Sequence, residues 1–163
     1  MKILSMKTTI FLGAMLSLLV CLMFTGCSNS ETNSTSRGLT DFAHIEEEYL
    51  ATIDSLNWPD GITLPDKLED EDTGASFQVG YGETRASYLW EYSWMKEWLD
   101  TYNTDPERAE KALEELEKAF DMPYMGIDRC DDATRNYLRE NIDKAKLGDP
   151  SGFTESIQAN YAN

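Results

Sequence analysis

The sequence is poor in histidine, and this shortage excludes a large class of metal and catalytic sites. His44 is the only histidine, and it stands beside Glu46, Glu47 and Glu48 with no second histidine or cysteine near it. Zinc sites draw on clustered cysteine and histidine, and a general base needs a partner group within reach. We therefore expect His44 to be an exposed helix residue, and we predict no metal site and no cofactor.

Basic residues are also scarce. The chain has 14 lysines and arginines against 30 aspartates and glutamates, a formal net charge of −16. Binding to nucleic acid or to an anionic lipid surface requires clustered basic side chains, so both partners are excluded. The excess of acid predicts either a highly solvated surface or an acidic face that recognises a basic partner.

The first 27 residues have the three parts of a signal peptide. Lys2 and Lys7 supply the positive charge, an apolar segment runs over residues 10–23, and small residues lead to Cys27 in Met23-Phe24-Thr25-Gly26-Cys27. We predict that residues 1–26 are the leader and are removed by cleavage before Cys27. Removal of Lys2 and Lys7 leaves 12 basic against 30 acidic residues, a net charge of −18.

This segment resembles the lipobox of bacterial lipoproteins, in which a small residue precedes a modified cysteine. Phe24 stands where the family usually has leucine. The resemblance implies that the Cys27 thiol accepts diacylglycerol as a thioether. The protein would then be held at the extracytoplasmic face of the cell membrane by two or three acyl chains, which anchor stably. The alternative is a retained transmembrane helix, since residues 8–26 are almost long enough to span a bilayer.

Residues 27–40 are predicted to be the lipidated cysteine and a flexible polar tether, because 28–40 are almost all small and polar. A coil of this length reaches about 20 Å. Residues 41–163 are then a single folded domain. Cys21 leaves with the leader and Cys27 carries lipid, so Cys130 is the remaining thiol. We expect it to be buried rather than paired between chains.

Helical spacing dominates the folded region. Residues 42–56 have an amphipathic pattern with Asp41 as N-cap, and 83–102 carry Trp90, Trp94 and Trp98 at intervals of four. Aromatic residues cover most of the circumference of the second helix, including Tyr88 and Tyr92, so it is predicted to be buried and central. The alternative is an aromatic groove for a sugar or peptide.

Three further helices have clear boundaries. Thr104-Asp105-Pro106-Glu107 is typical of a capping box. The next helix begins after Asp131-Asp132, whose carboxylates suit a helix N-terminus. It is expected to bury Tyr137, Leu138, Ile142, Ala145 and Leu147. Gly148 ends it, and a last helix follows Asp149-Pro150. We predict an all-α bundle of four to five helices around the central helix, with an irregular or extended segment at 57–82. Within that segment Ile62–Pro65 and Phe77–Val79 could pair as a ribbon.

Three motifs invite a catalytic or ligand interpretation, and each is weak. Ser93 and Lys96 match a Ser-x-x-Lys pattern but lack the Lys-Thr-Gly that accompanies it. The acidic run 69–74 cannot complete a calcium-binding EF-hand loop, because Gly80 occupies the twelfth position of such a loop. We favour a solvated acidic loop there over a weak surface cation site. Gly80-Tyr81-Gly82-Glu83 precedes the central helix and could present N–H groups to an anion, but we favour a tight entry turn that lets the buried helix start under its neighbours.

No motif supports catalysis, so we predict a non-catalytic binding or interaction module. The leader and general build resemble those of the small uncharacterised lipoproteins that Gram-positive bacteria secrete. The alternative is a small-ligand or glycan binder that uses Trp58, Tyr81 and an outward-facing helix tryptophan. A third interpretation is an enzyme with a deep pocket of converging polar groups around Glu83, Arg85 and Tyr88.

Overall fold

A computed structural model of the chain describes residues 38–69 and 71–161. The predicted leader, Cys27 and residues 28–37 of the predicted tether lie outside the described residues. Within the described ranges, the protein consists of five α-helices, two short 3-10 turns and one two-stranded ribbon. The all-α prediction is therefore confirmed. The helices are α1 Phe42–Ser55, α2 Tyr81–Thr101, α3 Pro106–Glu117, α4 Asp132–Lys146 and α5 Ser151–Asn160.

Helix α2 is the central element, as its aromatic pattern predicts. It packs against α1, α3 and α5. Trp90, Trp94 and Trp98 are each at most 2% exposed, and they form the main core with residues of α3, α4, α5 and the 3-10 turns Lys118–Asp121 and Pro123–Met125. A second cluster joins the start of α2 to α1 through Ala86 and Ile45. Aromatic rings of this size bury more apolar area than any other side chains, so the three tryptophans contribute strongly to the stability of the bundle.

Aspartate caps three of the helices, and the sequence predicts Asp41 as the cap of α1 and acidic side chains at the start of α4. A carboxylate at an N-cap accepts a hydrogen bond from a backbone N–H that has no partner within the helix. For α3 the cap is Asp105, one residue after the predicted Thr104. The bonds run from His44 N to Asp41 at 3.1 Å, from Arg108 N to Asp105 at 3.2 Å and from Thr134 N to Asp131 at 2.8 Å.

The ribbon joins β1, Leu39–Thr40, to β2, Phe77–Gln78, in antiparallel register. The pairing predicted between Ile62–Pro65 and Phe77–Val79 is wrong. Val79 N also donates to the carbonyl of Gly38 at 3.0 Å, so residues 38–40, assigned by the sequence to the tether, belong to the folded part. The reason is the packing of α1 on α2, which brings the residues before each helix side by side, whereas Pro65 has no N–H to give to a ladder.

The segment between α1 and α2 is irregular apart from β2, as predicted, and its first residues bind two tryptophans of α2. The carbonyl of Asn57 accepts hydrogen bonds from Nε1 of Trp90 at 2.8 Å and Nε1 of Trp94 at 3.1 Å. Two buried indole N–H groups are therefore satisfied by one carbonyl, which fixes the turn against the core. Trp58 donates to the carbonyl of Ile53 at 2.9 Å.

Two predictions of burial on α4 are wrong. Leu138, Ile142 and Ala145 are buried, but Tyr137 is 43% exposed and Leu147 is 88% exposed. Leu147 is the C-cap, where the chain turns away through Gly148 at positive φ.

Cys130 is half-buried, with Sγ 3.5 Å from Met125 Sδ. None of the helices in the described ranges is long and apolar enough to cross a membrane.

Candidate functional site

A cleft of about 570 Å³ opens between α1, α2, α4, α5 and the loop that precedes β2. Its size falls in the range of small-molecule sites. Tyrosine is the most frequent residue in its lining. The side chains that give the cleft its character are Tyr49, Lys67, Arg85, Tyr88, Glu91, Tyr137 and Tyr161.

Glu91 is the acidic group of the cleft that lies deepest in the protein. It is 8% exposed, and its Oε2 accepts a hydrogen bond from the hydroxyl of Tyr124 at 2.7 Å. Burial raises the pKa of the Glu91 carboxyl to about 7, although the hydrogen bond from Tyr124 acts in the opposite direction. At neutral pH this group therefore lies near the midpoint of its titration.

Tyrosine side chains surround this carboxyl. The Tyr88 and Tyr124 rings meet edge to face with centroids 5.6 Å apart. Tyr161 donates its hydroxyl to the carbonyl of Tyr88 at 3.2 Å and packs on Tyr92 at 4.8 Å. Burial and the nearby Glu91 both raise the pKa of Tyr161, so its hydroxyl stays protonated and able to donate.

The other end of the cleft carries two basic side chains, and each has an acidic partner. Lys67 Nζ lies 2.9 Å from Glu69 Oε1, and Arg85 Nε lies 3.4 Å from Glu71 Oε1. The Lys67 and Arg85 side chains are both exposed to solvent. Both basic side chains at this end are already paired with carboxylates.

Of the five residues that the sequence nominated for a ligand site, the structure brings Arg85 and Tyr88 into the cleft. Tyr81 is nearby, because its hydroxyl donates to Glu71 Oε1 at 2.7 Å, the same oxygen that Arg85 approaches. Glu83 pairs with Arg129 at 2.9 Å, and Trp58 packs between the two core clusters. Neither Glu83 nor Trp58 lines the cleft.

The three tryptophans of α2 offer no outward-facing platform. Trp98 borders a second, shallower groove of about 450 Å³ between α2, α3 and the end of α4. Trp98 is 2% exposed, and its ring is covered by Tyr102, stacked with ring centroids 4.6 Å apart, and by Phe153. A stacked sugar would need an open ring face, so these tryptophans are not available to one, and the aromatic residues that line the cleft are tyrosines.

The N–H groups at the glycine-rich entry to α2 bind a carboxylate of the chain itself, that of Glu48. Both carboxylate oxygens of Glu48 accept from Gly80 N, at 2.8 and 3.0 Å, and one also accepts from Gly82 N at 3.2 Å. A Cβ on Gly82 would lie 1.8 Å from the Ile45 carbonyl oxygen. The glycine is needed for the close approach of α1, and the N–H groups are already occupied. His44, exposed as predicted, has Nε2 3.4 Å from Glu48 Oε1.

The remaining motifs do not assemble into sites. Ser93 Oγ donates to the carbonyl of Leu89, while Lys96 pairs with Asp100 on the exposed face of α2, so the two do not act together. Among residues 38–69 and 71–161, no group of three or more histidine, cysteine, aspartate or glutamate side chains is arranged to hold a metal ion.

The sequence prediction missed Glu91, Tyr124, Tyr137 and Tyr161 as site residues. For Glu91 a signal was present: it stands three residues after Tyr88 and four before Met95, which places an acid on an otherwise apolar stripe of the helix. The tyrosines carry no such signal, because each is an ordinary member of its own amphipathic pattern.

Comparison of the chain with protein-family models, with curated proteins and with solved structures finds no significant match.

Proposed function

We propose that this protein is a lipid-anchored, non-catalytic binding protein at the extracytoplasmic face of the cell membrane, and that the tyrosine-lined cleft holds a small ligand. The observation that carries the ligand-binding part is the cleft itself. It combines a volume of about 570 Å³ with aromatic walls and a few polar groups, Glu91 and Arg85 among them. Sites for small molecules have this composition.

The proposed anchor is supported by the sequence alone. Gly26-Cys27 follows a basic and then apolar leader, and residues 28–37 are polar and small. Acyl chains on Cys27 would bury methylenes at about 0.8 kcal/mol each. A ligand site on a tethered module would sample the space close to the membrane surface.

The cleft can be tested by blocking it. Thr134 is an exposed residue of its lining, and the neighbouring Ala133 is exposed but does not line it. The full-length protein in detergent is incubated with a small-molecule extract of the producing cells, and retained compounds are identified by mass spectrometry. We expect the wild type and Ala133→Trp to retain the same compound and Thr134→Trp to lose it, because an indole would fill the cleft. Equal retention by both variants would place binding elsewhere.

The anchor is tested separately with Cys27→Ser. Cells that express the wild type or this variant are fractionated after labelling with an alkyne analogue of palmitate. The wild type should carry label and sediment with membranes, while the variant should be unlabelled and released, because serine has no thiol to form the thioether. A variant that stays in the membrane would favour a retained helix. Cys130→Ser is the matched control and should behave as the wild type.

A further inference from the structure

Glu91 is a buried carboxyl group with no cationic partner. In the part of the chain that the structure describes, its one hydrogen bond is from the Tyr124 hydroxyl, and neither lysine nor arginine forms an ion pair with it. An ionised carboxylate in such a place loses its hydration without compensation. Because Glu91 also lines an open cleft, a cationic ligand in that cleft could supply the missing partner.

The surroundings of Glu91 suit a positive ion. Tyr88 lies one helical turn before Glu91, and Tyr137 and Tyr161 bring aromatic rings to the same cleft from α4 and from the end of α5. Aromatic rings attract cations through the negative potential of their faces, most strongly where water is excluded. A carboxyl group among tyrosines therefore combines a counter-ion with an aromatic enclosure.

Charge elsewhere in the cleft argues against an anionic ligand. Lys67 and Arg85 already have Glu69 and Glu71 as partners, so an anion would have to compete with existing ion pairs. The chain as a whole carries a net charge of −16, which raises the local concentration of cations and lowers that of anions. Among the charged side chains that line the cleft, Glu91 is the one to which the described residues supply no oppositely charged partner.

We propose that the ligand of this cleft carries an organic ammonium group, which Glu91 binds as counter-ion and the neighbouring tyrosines enclose; this inference rests on the proposed function of the cleft.

The inference is tested with two pairs of probes that share shape but differ in charge. Choline is compared with 3,3-dimethylbutan-1-ol, in which carbon replaces the charged nitrogen, and phenethylammonium is compared with 2-phenylethanol. Affinities for the full-length protein at pH 8 are measured by calorimetry. We expect at least one ammonium ion to bind at least tenfold more tightly than its uncharged analogue. Phenylacetate serves as the anionic probe and should bind more weakly than phenethylammonium and 2-phenylethanol.

Glu91→Gln removes the charge and keeps both the shape and an acceptor for Tyr124. We expect it to lose at least tenfold in affinity for the ammonium probe and to keep its affinity for the uncharged analogue. Glu155→Gln is the matched control, because Glu155 is an exposed acid of α5 that does not line the cleft. It should bind as the wild type does. Equal affinity for charged and uncharged probes, or an unchanged affinity in Glu91→Gln, overturns the inference.

The affinity should also depend on pH in a defined direction. Because the pKa of Glu91 is about 7, ammonium binding should strengthen as pH rises through that value and weaken below it. This slope should be absent in Glu91→Gln, which separates Glu91 from the other titratable groups that face the cleft or this carboxyl: Tyr49, Lys67, Glu69, Arg85, Tyr88, Tyr124, Cys130, Tyr137 and Tyr161. A slope that persists in the variant overturns the assignment.

Failure of this inference can be told apart from failure of the proposed function. If a compound recovered from the extract requires an open cleft but carries no ionised nitrogen, the ammonium assignment is wrong and the cleft is still a binding site. If the wild type retains no compound and binds none of the five probes, both are wrong.

Discussion

At the scale of single residues, Glu91 is unusual because it places an acidic side chain where packing alone would favour an apolar one. It lies on the apolar side of α2, 8% exposed, between Trp90 and Tyr92. A buried acid without a cationic partner destabilises the folded state whenever it is ionised, because its hydration is lost. The residue is therefore expected to set both the ligand charge and the response of stability to pH.

The folded state holds the Glu91 proton at pH values where the unfolded chain has released it. Its pKa rises from 4.5 to about 7 on folding, so this group lowers the free energy of unfolding as pH increases over that interval. The change is about 3 kcal/mol, at about 1.4 kcal/mol per pKa unit. We expect Glu91→Gln to lack this decrease when denaturant unfolding is followed from pH 4.5 to 8.

Exposed acids contribute to the pH dependence of the wild type as well, so the comparison with a control decides the result. Glu155→Gln should show the same decrease as the wild type, because Glu155 is exposed. Parallel curves for the wild type and Glu91→Gln would mean that the Glu91 carboxyl titrates in the folded protein as it does in the unfolded chain.

At the scale of secondary-structure elements, the start of α2 depends on α1. Gly80 has φ of 87° and offers no side-chain cap, so the first N–H groups of the helix have no local acceptor. The carboxylate of Glu48 supplies one from α1, and its negative charge also suits the positive end of the helix dipole. The two helices are thus joined by polar contacts at the point where Gly82 lets their backbones meet.

Glu48→Ala should lower the free energy of unfolding by about 2 kcal/mol, which is typical for loss of charged hydrogen bonds to N–H groups that then lack a partner. Glu47→Ala is the matched control. Glu47 is the preceding residue of the same helix and is exposed, so its removal should change stability by no more than about 0.5 kcal/mol. Urea denaturation of the two variants checks the difference. Equal effects would show that the Glu48 contacts contribute nothing beyond helix propensity.

At the scale of the whole molecule, charge is the dominant property. With 30 acidic and 14 basic residues, repulsion among carboxylates opposes the compact state at neutral pH. Ion pairs such as Arg108 with Glu97, at 2.7 Å, offset part of it. Exposed pairs contribute little individually, so the repulsion should prevail.

Sodium chloride should therefore stabilise the protein at pH 7. Screening weakens interactions between exposed charges over distances beyond the Debye length of about 10 Å at 0.1 M. We expect the free energy of unfolding to rise by on the order of 1 kcal/mol between low and physiological salt. At pH 4.3, near the isoelectric point of the chain, the same salt series should have little effect. A protein that salt destabilises at pH 7 would show that attractive pairs outweigh the repulsion.

The sequence by itself determined the helical class, the central position of α2 and, to within a residue, the starts of α1 and α4. These depend on interactions between residues three or four apart, such as the spacing of Trp90, Trp94 and Trp98, and on caps such as Asp41 and Asp131, whose partners lie three residues away. Local periodicity contains that information.

Only the tertiary structure decided which residues share a site. The cleft brings Tyr49, Glu91 and Tyr161 together from three helices or their ends, and the N–H groups at Gly80 receive an anion from Glu48, 32 residues earlier. The same packing of α1 on α2 pairs Leu39–Thr40 with Phe77–Gln78. No local pattern encodes these contacts, because they follow from how the buried faces of separate helices fit against one another.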